Sequence, residues 1–310
     1  MDDVYVAPNG WLFLIGGANK VIDIYSGKKD KTWVSGWANL IDQRLSRFLA
    51  QGIKYCHIAA PEKLSIYSRY LEKDFAKIIN LDNSPALLLE RGIISDKCLS
   101  AYINPSAYLQ KQSETYQVYH KTDTHWSFLG AYSAYQLLMN RLGFEVDSGI
   151  LDNRTLGGEC VMDLGGKMVP AITENVFFYT PRPQVRRVFR NKLVEYKENM
   201  GLEDEGGLHV GSSVSFVNDK ALHDYRVLIF GDSFSECRPQ LLTGLIAETF
   251  TNVKFVWGLS VDQNIVSEFK PDIIITEAAE RFMPFYTPKD DLCNAELVDL
   301  AILKHKSNNH

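Results

Sequence analysis

The apolar run Val-Leu-Ile-Phe at residues 227–230 constrains the fold more than any other segment of the chain. A continuous apolar run of this kind, ended by Gly231, is typical of a strand that is buried on both faces of a parallel sheet. Apolar residues then recur at helical spacing from 237 to 248. We therefore predict a central strand, a turn that carries Ser233, and a helix that covers the sheet.

Strand and helix patterns alternate along much of the remaining chain. Helices are predicted at residues 32–51, 85–110 (with breaks at Gly92 and Pro105) and 261–269, and strands at 53–60, 253–257 and 272–276. Such alternation implies a parallel sheet that is covered by helices on both faces. The fold class predicted is thus α/β, a three-layer α/β/α domain with a mostly parallel sheet.

The domain organisation predicted is a single domain over residues 1–290, followed by a C-terminal tail at 291–310. Residues at about 150–220 interrupt the alternation, because they contain three Gly-Gly pairs and short alternating segments. We predict a β-rich insertion there. Since loops and insertions at sheet ends often shape substrate clefts, the segment Asp163-Leu164-Gly165-Gly166 is a candidate for substrate specificity; a plain turn is the alternative.

Ser233 is a candidate nucleophile because of its place on the predicted turn. In open α/β sheets the substrate crevice lies outside the carboxyl ends of the strands, and N–H groups of a following helix can stabilise an oxyanion. A serine hydroxyl needs a neighbouring base to become nucleophilic at neutral pH. The alternative interpretation is that Asp232 and Ser233 only cap the helix.

His125 is the candidate base. It follows a strand-like alternation at residues 116–120 and precedes a predicted helix at 127–142 that Gly143 ends. Asp123 lies two residues earlier and can accept a hydrogen bond from one imidazole nitrogen while the other nitrogen faces a nucleophile. The alternative is that these are ordinary turn residues before a helix.

Several blocks of this sequence resemble the SGNH-hydrolase-like proteins of bacterial polysaccharide O-acetylation, and within them the alginate O-acetyltransferase branch. The resemblance extends from about residue 5 to residue 283. As in that branch, the Asp-x-His motif precedes the Gly-Asp-Ser motif. The blocks are Asn-Gly-Trp-Leu-Phe-Leu at 9–14, Pro-Glu-Lys at 61–63, Val-Tyr-His-Lys-Thr-Asp-Thr-His-Trp-Ser at 118–127, Gly-Asp-Ser-Phe-Ser at 231–235, and residues 271–282.

The resemblance implies a triad of Ser233 as nucleophile, His125 as general base and Asp123 as its orienting partner. It implies an acetyl-serine intermediate that passes its acetyl group to a sugar hydroxyl. The glycine and Gly-x-Asn-Asp blocks that supply oxyanion donors in ordinary SGNH hydrolases have no clear counterpart, so the Ser233 N–H is the donor assigned. Three further residues are candidates for the oxyanion hole or for shaping the site: Asp232, Tyr119 and Arg281. The alternative for Arg281 is a structural ion pair with Glu280 or Glu277.

Composition limits the classes of function. The formal net charge of −5 and the absence of a cluster of basic residues argue against nucleic-acid binding. No apolar run approaches the roughly 18–20 residues of a membrane-spanning helix, and Met1 precedes two aspartates, unlike a signal peptide. The five cysteines show neither a disulfide framework nor a zinc pattern. We expect a soluble cytoplasmic protein as written, or a periplasmic one if this is part of a longer chain.

The function predicted is O-acetylation of a bacterial polysaccharide or oligosaccharide. Two alternatives remain: a carbohydrate O-acetyl esterase with the same triad, and a non-catalytic carbohydrate-binding component of a polysaccharide assembly complex. No metal and no permanently bound cofactor are expected. The acetyl donor is predicted to be acetyl-CoA in the cytoplasm, or a membrane-borne acyl carrier system outside it.

Overall fold

A computed structural model describes residues 3–93, 95–203 and 205–308, without the side chains of 154–156. The strands are β1 (Val4–Val6), β2 (Leu12–Leu14), β3 (Lys54–Ala60), β4 (Tyr102–Ile103), β5 (Arg154–Val161), β6 (Thr173–Tyr179), β7 (Val185–Arg190), β8 (Ser213–Asn218), β9 (His223–Gly231), β10 (Phe250–Trp257) and β11 (Ile273–Ala279). The α-helices are α1 (Val21–Tyr25), α2 (Trp33–Ala50), α3 (Lys63–Ile66), α4 (Lys73–Ala76), α5 (Pro85–Gly92), α6 (Asp96–Ala101), α7 (Ser106–Gln112), α8 (Phe128–Leu142), α9 (Lys192–Met200), α10 (Leu242–Thr249), α11 (Gln263–Phe269) and α12 (Asn294–Asn308).

The largest sheet in the described part of the chain has seven strands in the order β4-β3-β11-β9-β10-β8-β7. The pairs from β4 to β10 are parallel, whereas β8 and β7 add to the edge in antiparallel pairs. The predicted α/β fold with a mostly parallel sheet is confirmed. The predicted central strand is β9, and its register aligns Gly231 with Trp257 at the end of β10.

Two hydrophobic cores lie on opposite faces of this sheet. Side chains alternate between the two faces of a strand, so Val227 and Ile229 enter one core, with residues of α8 and α10. Leu228 and Phe230 enter the other core, with residues of α2 and α5. All four side chains are completely buried. A three-layer α/β/α arrangement results.

The segment at residues 150–220 contains strands β5 to β8 and helix α9. Strands β5 and β6 form a separate antiparallel pair, whereas β7 and β8 hydrogen-bond into the central sheet. The segment therefore contributes part of the main sheet, in addition to a separate hairpin. At the C-terminus, where the sequence indicated a tail, α12 packs against α9.

Two local predictions were wrong in detail, and a third was incomplete. Residues 116–120 form no strand, only an isolated bridge between Tyr119 and Trp126, because the backbone of Val118 bonds with the Tyr67 hydroxyl and the Ser127 N–H instead. The helix predicted from residue 237 begins at Leu242. Pro239 explains the delay, since proline lacks an N–H and disfavours helical geometry in the residue before it. The region 85–110 breaks as predicted at its glycine and proline, and also at β4.

Helix α8 lies unusually close to the chain that leads into the His125 loop. Its predicted cap is confirmed, since the Ser127 hydroxyl accepts a bond of 3.2 Å from the Gly130 N–H. Gly143, with φ of 77°, ends the helix in the left-handed region. A Cβ at Gly130 would lie 1.9 Å from the carbonyl oxygen of Val118. The lack of a side chain at Gly130 therefore permits the close approach of helix and loop.

Gly130→Ala is expected to destabilise the protein. In an unconstrained helix this change adds about 1 kcal/mol of stability, but here the new methyl group meets a backbone carbonyl that is hydrogen-bonded in place. We expect the free energy of unfolding, measured by urea denaturation, to fall by more than about 1 kcal/mol. Gly36→Ala in α2 is the matched control, because its nearest neighbour is a side-chain atom, Oγ1 of Thr287 at 3.1 Å. Equal or greater stability of Gly130→Ala would contradict the prediction.

Candidate active site

The structure brings Ser233, His125 and Asp123 together in a hydrogen-bonded row. His125 Nε2 lies 2.7 Å from Ser233 Oγ, although the two residues are 108 positions apart. Its other nitrogen, Nδ1, lies 2.7 Å from Asp123 Oδ1. The same carboxylate oxygen accepts the backbone N–H of His125 at 2.9 Å. Burial opposes ionisation of Asp123, but His125 and these hydrogen bonds lower the pKa of Asp123 below its ordinary value. A carboxylate so placed fixes the tautomer and orientation of the imidazole.

The turn that carries Ser233 is tied to the end of β11 by Asp232. Oδ1 of Asp232 accepts the Phe234 N–H at 3.0 Å, and Oδ2 accepts the Ala279 N–H at 2.7 Å. The Asp232 N–H donates to Glu277 Oε2 at 3.0 Å. Burial and the proximity of Asp232 raise the pKa of Glu277 well above its ordinary value. Asp232 thus holds the nucleophile turn through both carboxylate oxygens.

Lys63 holds the loop that carries Asp123 and His125. Its ammonium group donates to the carbonyl oxygens of His120 at 2.9 Å, Lys121 at 2.9 Å and Asp123 at 2.6 Å. Lys63 is 2% exposed. Burial lowers the pKa of Lys63 to about 7, against the opposing effect of neighbouring carboxylates, Asp123 first. Three carbonyls that converge on one buried lysine define the path of the loop.

Carboxylates from the 150–220 segment hold the other side of the same loop. Glu174 of β6 accepts the N–H groups of Lys121 at 3.0 Å and Thr122 at 2.8 Å. Asp163 accepts the Thr124 N–H at 2.8 Å and the Thr124 hydroxyl at 2.5 Å. One oxygen of Asp163 also lies 4.0 Å from His125 Nδ1. The segment suspected of shaping the site therefore contacts the His125 loop directly.

Phe234 packs its ring between the groups that surround the triad. Its centroid lies 4.9 Å from that of His125 and 5.0 Å from that of Trp126. The guanidinium of Arg281 lies 5.3 Å from the same ring. Because Phe234 follows Ser233 directly, this packing restrains the serine relative to the histidine.

Tyr119 and Arg281 lie behind the triad as buried structural groups. The Tyr119 hydroxyl donates to the carbonyl oxygen of Pro61 at 2.5 Å. The alternative interpretation of Arg281 was an ion pair with Glu280 or Glu277, but its Nε lies 3.2 Å from Oε1 of Glu62. Glu280 instead accepts bonds from several groups around it: the hydroxyls of Tyr25, Ser65 and Ser84 and the N–H groups of Glu62 and Ala86. An ion pair between Arg281 and a residue near it in the sequence is therefore wrong. Arg281 reaches Glu62 because β11 ends beside the segment that follows β3.

The backbone N–H of Ser233 remains a candidate oxyanion donor. No hydrogen-bond acceptor for it is found among the described residues. The first turn of the following helix was expected to supply more donors, but residues 233–241 form turns and bends before α10 begins. The Asp232 and Phe234 N–H groups are engaged with carboxylates. The nucleophile's own N–H is therefore the donor that this turn offers.

A cleft of about 940 Å³ opens in front of the triad. Asp123, His125 and Ser233 line it, and charged side chains from the 150–220 segment and from the nucleophile turn form much of the remaining wall. These include Asp163, Arg187, Lys197, Glu198, Glu203, Glu236 and Arg238. Trp257, stacked on His209 with ring centroids 4.5 Å apart, forms an aromatic part of the wall. The cleft thus combines many charged groups with an apolar part of the wall that includes Trp257 and Phe282.

Asp123, His125 and Asp163 could also be considered as metal ligands. In the described residues they are the one group whose ligand atoms lie mutually within 4.8 Å. Both imidazole nitrogens of His125, however, already face Asp123 and Ser233 at hydrogen-bond distance. A metal ion would have to displace that arrangement, so the geometry favours a proton-transfer role for His125.

Lys63, Glu174 and Phe234 are site residues that sequence reasoning did not identify. Lys63 belongs to the Pro-Glu-Lys block and follows β3 closely, which places it at the carboxyl edge of the sheet. That position could have identified Lys63 as a site residue from the sequence. No sequence pattern could have identified Glu174, because its contact with the His125 loop depends on how the β5–β6 pair folds back onto the domain.

The chain has an SGNH hydrolase-like α/β fold. Residues 4–154, which include Asp123 and His125, match the family model described as the SGNH hydrolase-like domain of the acetyltransferase AlgX. The resemblance seen in the sequence is thereby confirmed. No curated protein matches the chain.

Solved structures with the same fold share little sequence with this chain. Bacillus cereus PatB1 with a sulfonyl adduct aligns with a TM-score of 0.63 at 15% identity, over 92% of this chain and 100% of that one. The O-acetyltransferase domain of Pseudomonas putida AlgJ aligns with a TM-score of 0.50 at 13% identity, over 97% and 99%. Pseudomonas aeruginosa AlgX aligns with a TM-score of 0.54 at 14% identity, over 94% and 66%. At these identities the likeness is one of fold.

The described helices include none that is long and apolar enough to cross a membrane.

Lys63→Met is expected to change how stability depends on pH. The unfolded chain binds the Lys63 proton more tightly than the folded chain, since burial lowers the folded pKa to about 7. The free energy of unfolding of the wild type should therefore gain up to about 1.4 kcal/mol per pH unit from this residue between about pH 7 and 10. When the free energy of unfolding is measured by urea denaturation at pH 7, 8 and 9, it should rise less with pH in Lys63→Met than in the wild type, or fall more steeply.

Lys77→Met is the control for the loss of one lysine, because its side chain is 75% exposed and pairs only with Asp74 in the described structure. Parallel pH profiles for the wild type and Lys63→Met would contradict the prediction.

Proposed function

We propose that this protein is an O-acetyltransferase that modifies hydroxyl groups of a polysaccharide or oligosaccharide through an acetyl-serine intermediate. The observation that carries the proposal is the row Ser233–His125–Asp123, with both imidazole nitrogens at 2.7 Å from their partners. The match to an acetyltransferase domain supports the reaction type.

In the first half-reaction Ser233 Oγ attacks the carbonyl carbon of the acetyl donor. His125 Nε2 takes the hydroxyl proton, and Asp123 stabilises the imidazolium that forms. The oxyanion of the tetrahedral intermediate accepts the Ser233 N–H. As the intermediate collapses, the bond to the leaving group breaks and His125 returns the proton to that group.

In the second half-reaction a sugar hydroxyl replaces the leaving group. His125 removes its proton, the sugar oxygen attacks the acetyl carbon, and collapse returns the proton to Ser233 Oγ. The cleft in front of the triad is lined by charged and polar groups that suit a hydroxyl-rich acceptor. Water in the same position would make the reaction an ester hydrolysis, so exclusion of water by the acceptor decides between transferase and esterase.

The acetyl donor and the partner complex are proposed from the sequence resemblance. Acetyl-CoA is the donor if the protein acts in the cytoplasm, and a membrane-borne acyl carrier system is the donor if it acts in the periplasm. We also propose association with a polysaccharide assembly complex, which the sequence resemblance to the polysaccharide O-acetylation family implies. The rival function, carbohydrate binding without catalysis, is disfavoured by the complete triad geometry, which a binding protein does not require.

The wild-type protein is expected to gain one acetyl group when it is treated briefly with p-nitrophenyl acetate and its intact mass is measured. Ser233→Ala and His125→Ala should gain none, and steady-state release of p-nitrophenol should fall about 10³-fold or more in both. Asp123→Asn should lower the rate strongly as well, because the imidazole loses the carboxylate that fixes its tautomer.

Cys237→Ala is the matched control, since this thiol lines the same cleft and is itself a potential acetyl acceptor. It should retain the adduct. Addition of oligosaccharides to the acetylated wild type should discharge the adduct faster than buffer alone and yield acetylated sugar. An adduct that persists in Ser233→Ala, or no adduct in any form of the protein, would overturn the proposal.

A further inference from the structure

A second pocket lies beside the nucleophile turn and shares part of its wall with the catalytic cleft, but His125 does not line it. It has a volume of about 370 Å³ and lies at the carboxyl ends of β9 and β10. Gly231 and Asp232, which directly precede Ser233, form part of its wall. Trp257 and Phe282 line both this pocket and the cleft. The two spaces therefore share two wall residues, and the nucleophile Ser233, which lines the cleft, directly follows two residues of the pocket wall.

The walls of this pocket are mostly apolar, in contrast to the charged cleft. Phe230 and Val256 contribute from the sheet, Leu259 follows β10, and Leu292 and Leu297 come from the C-terminal segment.

The polar side chains on the wall are bonded within the protein. Asp262 accepts the N–H groups of Asn264 at 2.8 Å and Asn294 at 2.7 Å. The Asn294 side chain donates to the Gly211 carbonyl at 3.0 Å. Such a surface suits a hydrocarbon ligand, because no large polar desolvation cost accompanies binding.

The position of His125 determines which parts of the substrates must lie in the cleft. This histidine must protonate the leaving group and deprotonate the acceptor, so both must lie on its side, and it lines the cleft but not the pocket. The acyl group is the one part of the donor that exchanges no proton with His125. Its carbonyl carbon must reach Ser233, and its chain is free to point toward Gly231 and Asp232.

We propose that this apolar pocket binds the hydrocarbon chain of the acyl group, so that the protein accepts donors with acyl chains longer than acetyl in addition to the acetyl donor. The proposal rests on the proposed acyl-serine mechanism and adds the class of donor. Ser233 Oγ forms the ester bond to the acyl carbonyl carbon, the bond to the leaving group breaks, and His125 delivers the serine proton to that leaving group. The acyl chain stays in the pocket until the acceptor hydroxyl attacks.

The test compares p-nitrophenyl acetate, butyrate, hexanoate and octanoate, which share one leaving group and differ only in the acyl chain. With the wild-type protein, kcat/KM should rise about three- to fourfold for each added methylene until the pocket is full, the factor expected for burial of a methylene. A profile that is flat or falls from acetate onward would overturn the proposal.

Two substitutions change the pocket in opposite directions. A Cβ at Gly258 would meet no atom within 4 Å although the residue lines the pocket, so Gly258→Val fills space without a backbone clash. It should lower the hexanoate-to-acetate ratio of kcat/KM at least tenfold. Leu297→Ala enlarges the pocket and should shift the preferred chain length upward. Gly206→Val, whose Cβ also meets open space outside this pocket, is the matched control and should leave the ratio unchanged.

Binding of octanoate separates failure of this proposal from failure of the proposed function. Calorimetry with Ser233→Ala measures the pocket without turnover, and binding should be weakened at least tenfold in Ser233→Ala/Gly258→Val. If no ester acylates the wild type but octanoate binds in this Gly258-dependent way, the acyl-transfer function fails and the pocket assignment stands. If esters of all lengths acylate Ser233 and Gly258→Val leaves the chain-length ratio unaltered, the pocket assignment fails alone.

Discussion

The ammonium group of Lys63 and the three backbone carbonyls that it binds connect the two halves of the active site. Loops that carry catalytic groups must be held by a rigid scaffold, and the His125 loop has no strand partners of its own beyond one bridge. Lys63 lies just past β3, two strands from β9 in the sheet order. The loop is thus fixed relative to the edge of the sheet from which Ser233 projects. Glu174 and Asp163 hold the loop from the other side, so the triad distance is set by groups outside the triad.

The carboxyl edge of the sheet also explains why two chemically different spaces lie beside the nucleophile turn. The 150–220 segment and the nucleophile turn place charged side chains in front of His125, which suits hydroxyl-bearing acceptors and leaving groups. The ends of β9 and β10, together with the C-terminal segment, enclose an apolar pocket on the other side.

Much of the fold was predictable from local pattern. The buried strand β9, the helices α2 and α8 and the mostly parallel sheet follow from apolar periodicity and from caps such as Ser127 and Gly143. The errors share one cause, which is that hydrogen-bond partners far away in the sequence decide the outcome. Residues 116–120 alternate like a strand but bond to Tyr67 and Ser127. Arg281 pairs with Glu62, which follows the adjacent strand β3, rather than with a neighbour in the sequence.

The sequence by itself determined which residue types are available and where each stands relative to its own strand or helix. Ser233 after a buried strand, and Asp123 with His125 before a capped helix, are local facts, because propensity and periodicity act over a few residues. Only the tertiary structure decided that these segments meet at 2.7 Å and that Lys63 and Glu174 hold the loop. It also decided that an apolar pocket adjoins the nucleophile. Those features depend on strand order and on burial of charges from distant segments, which a linear pattern does not encode.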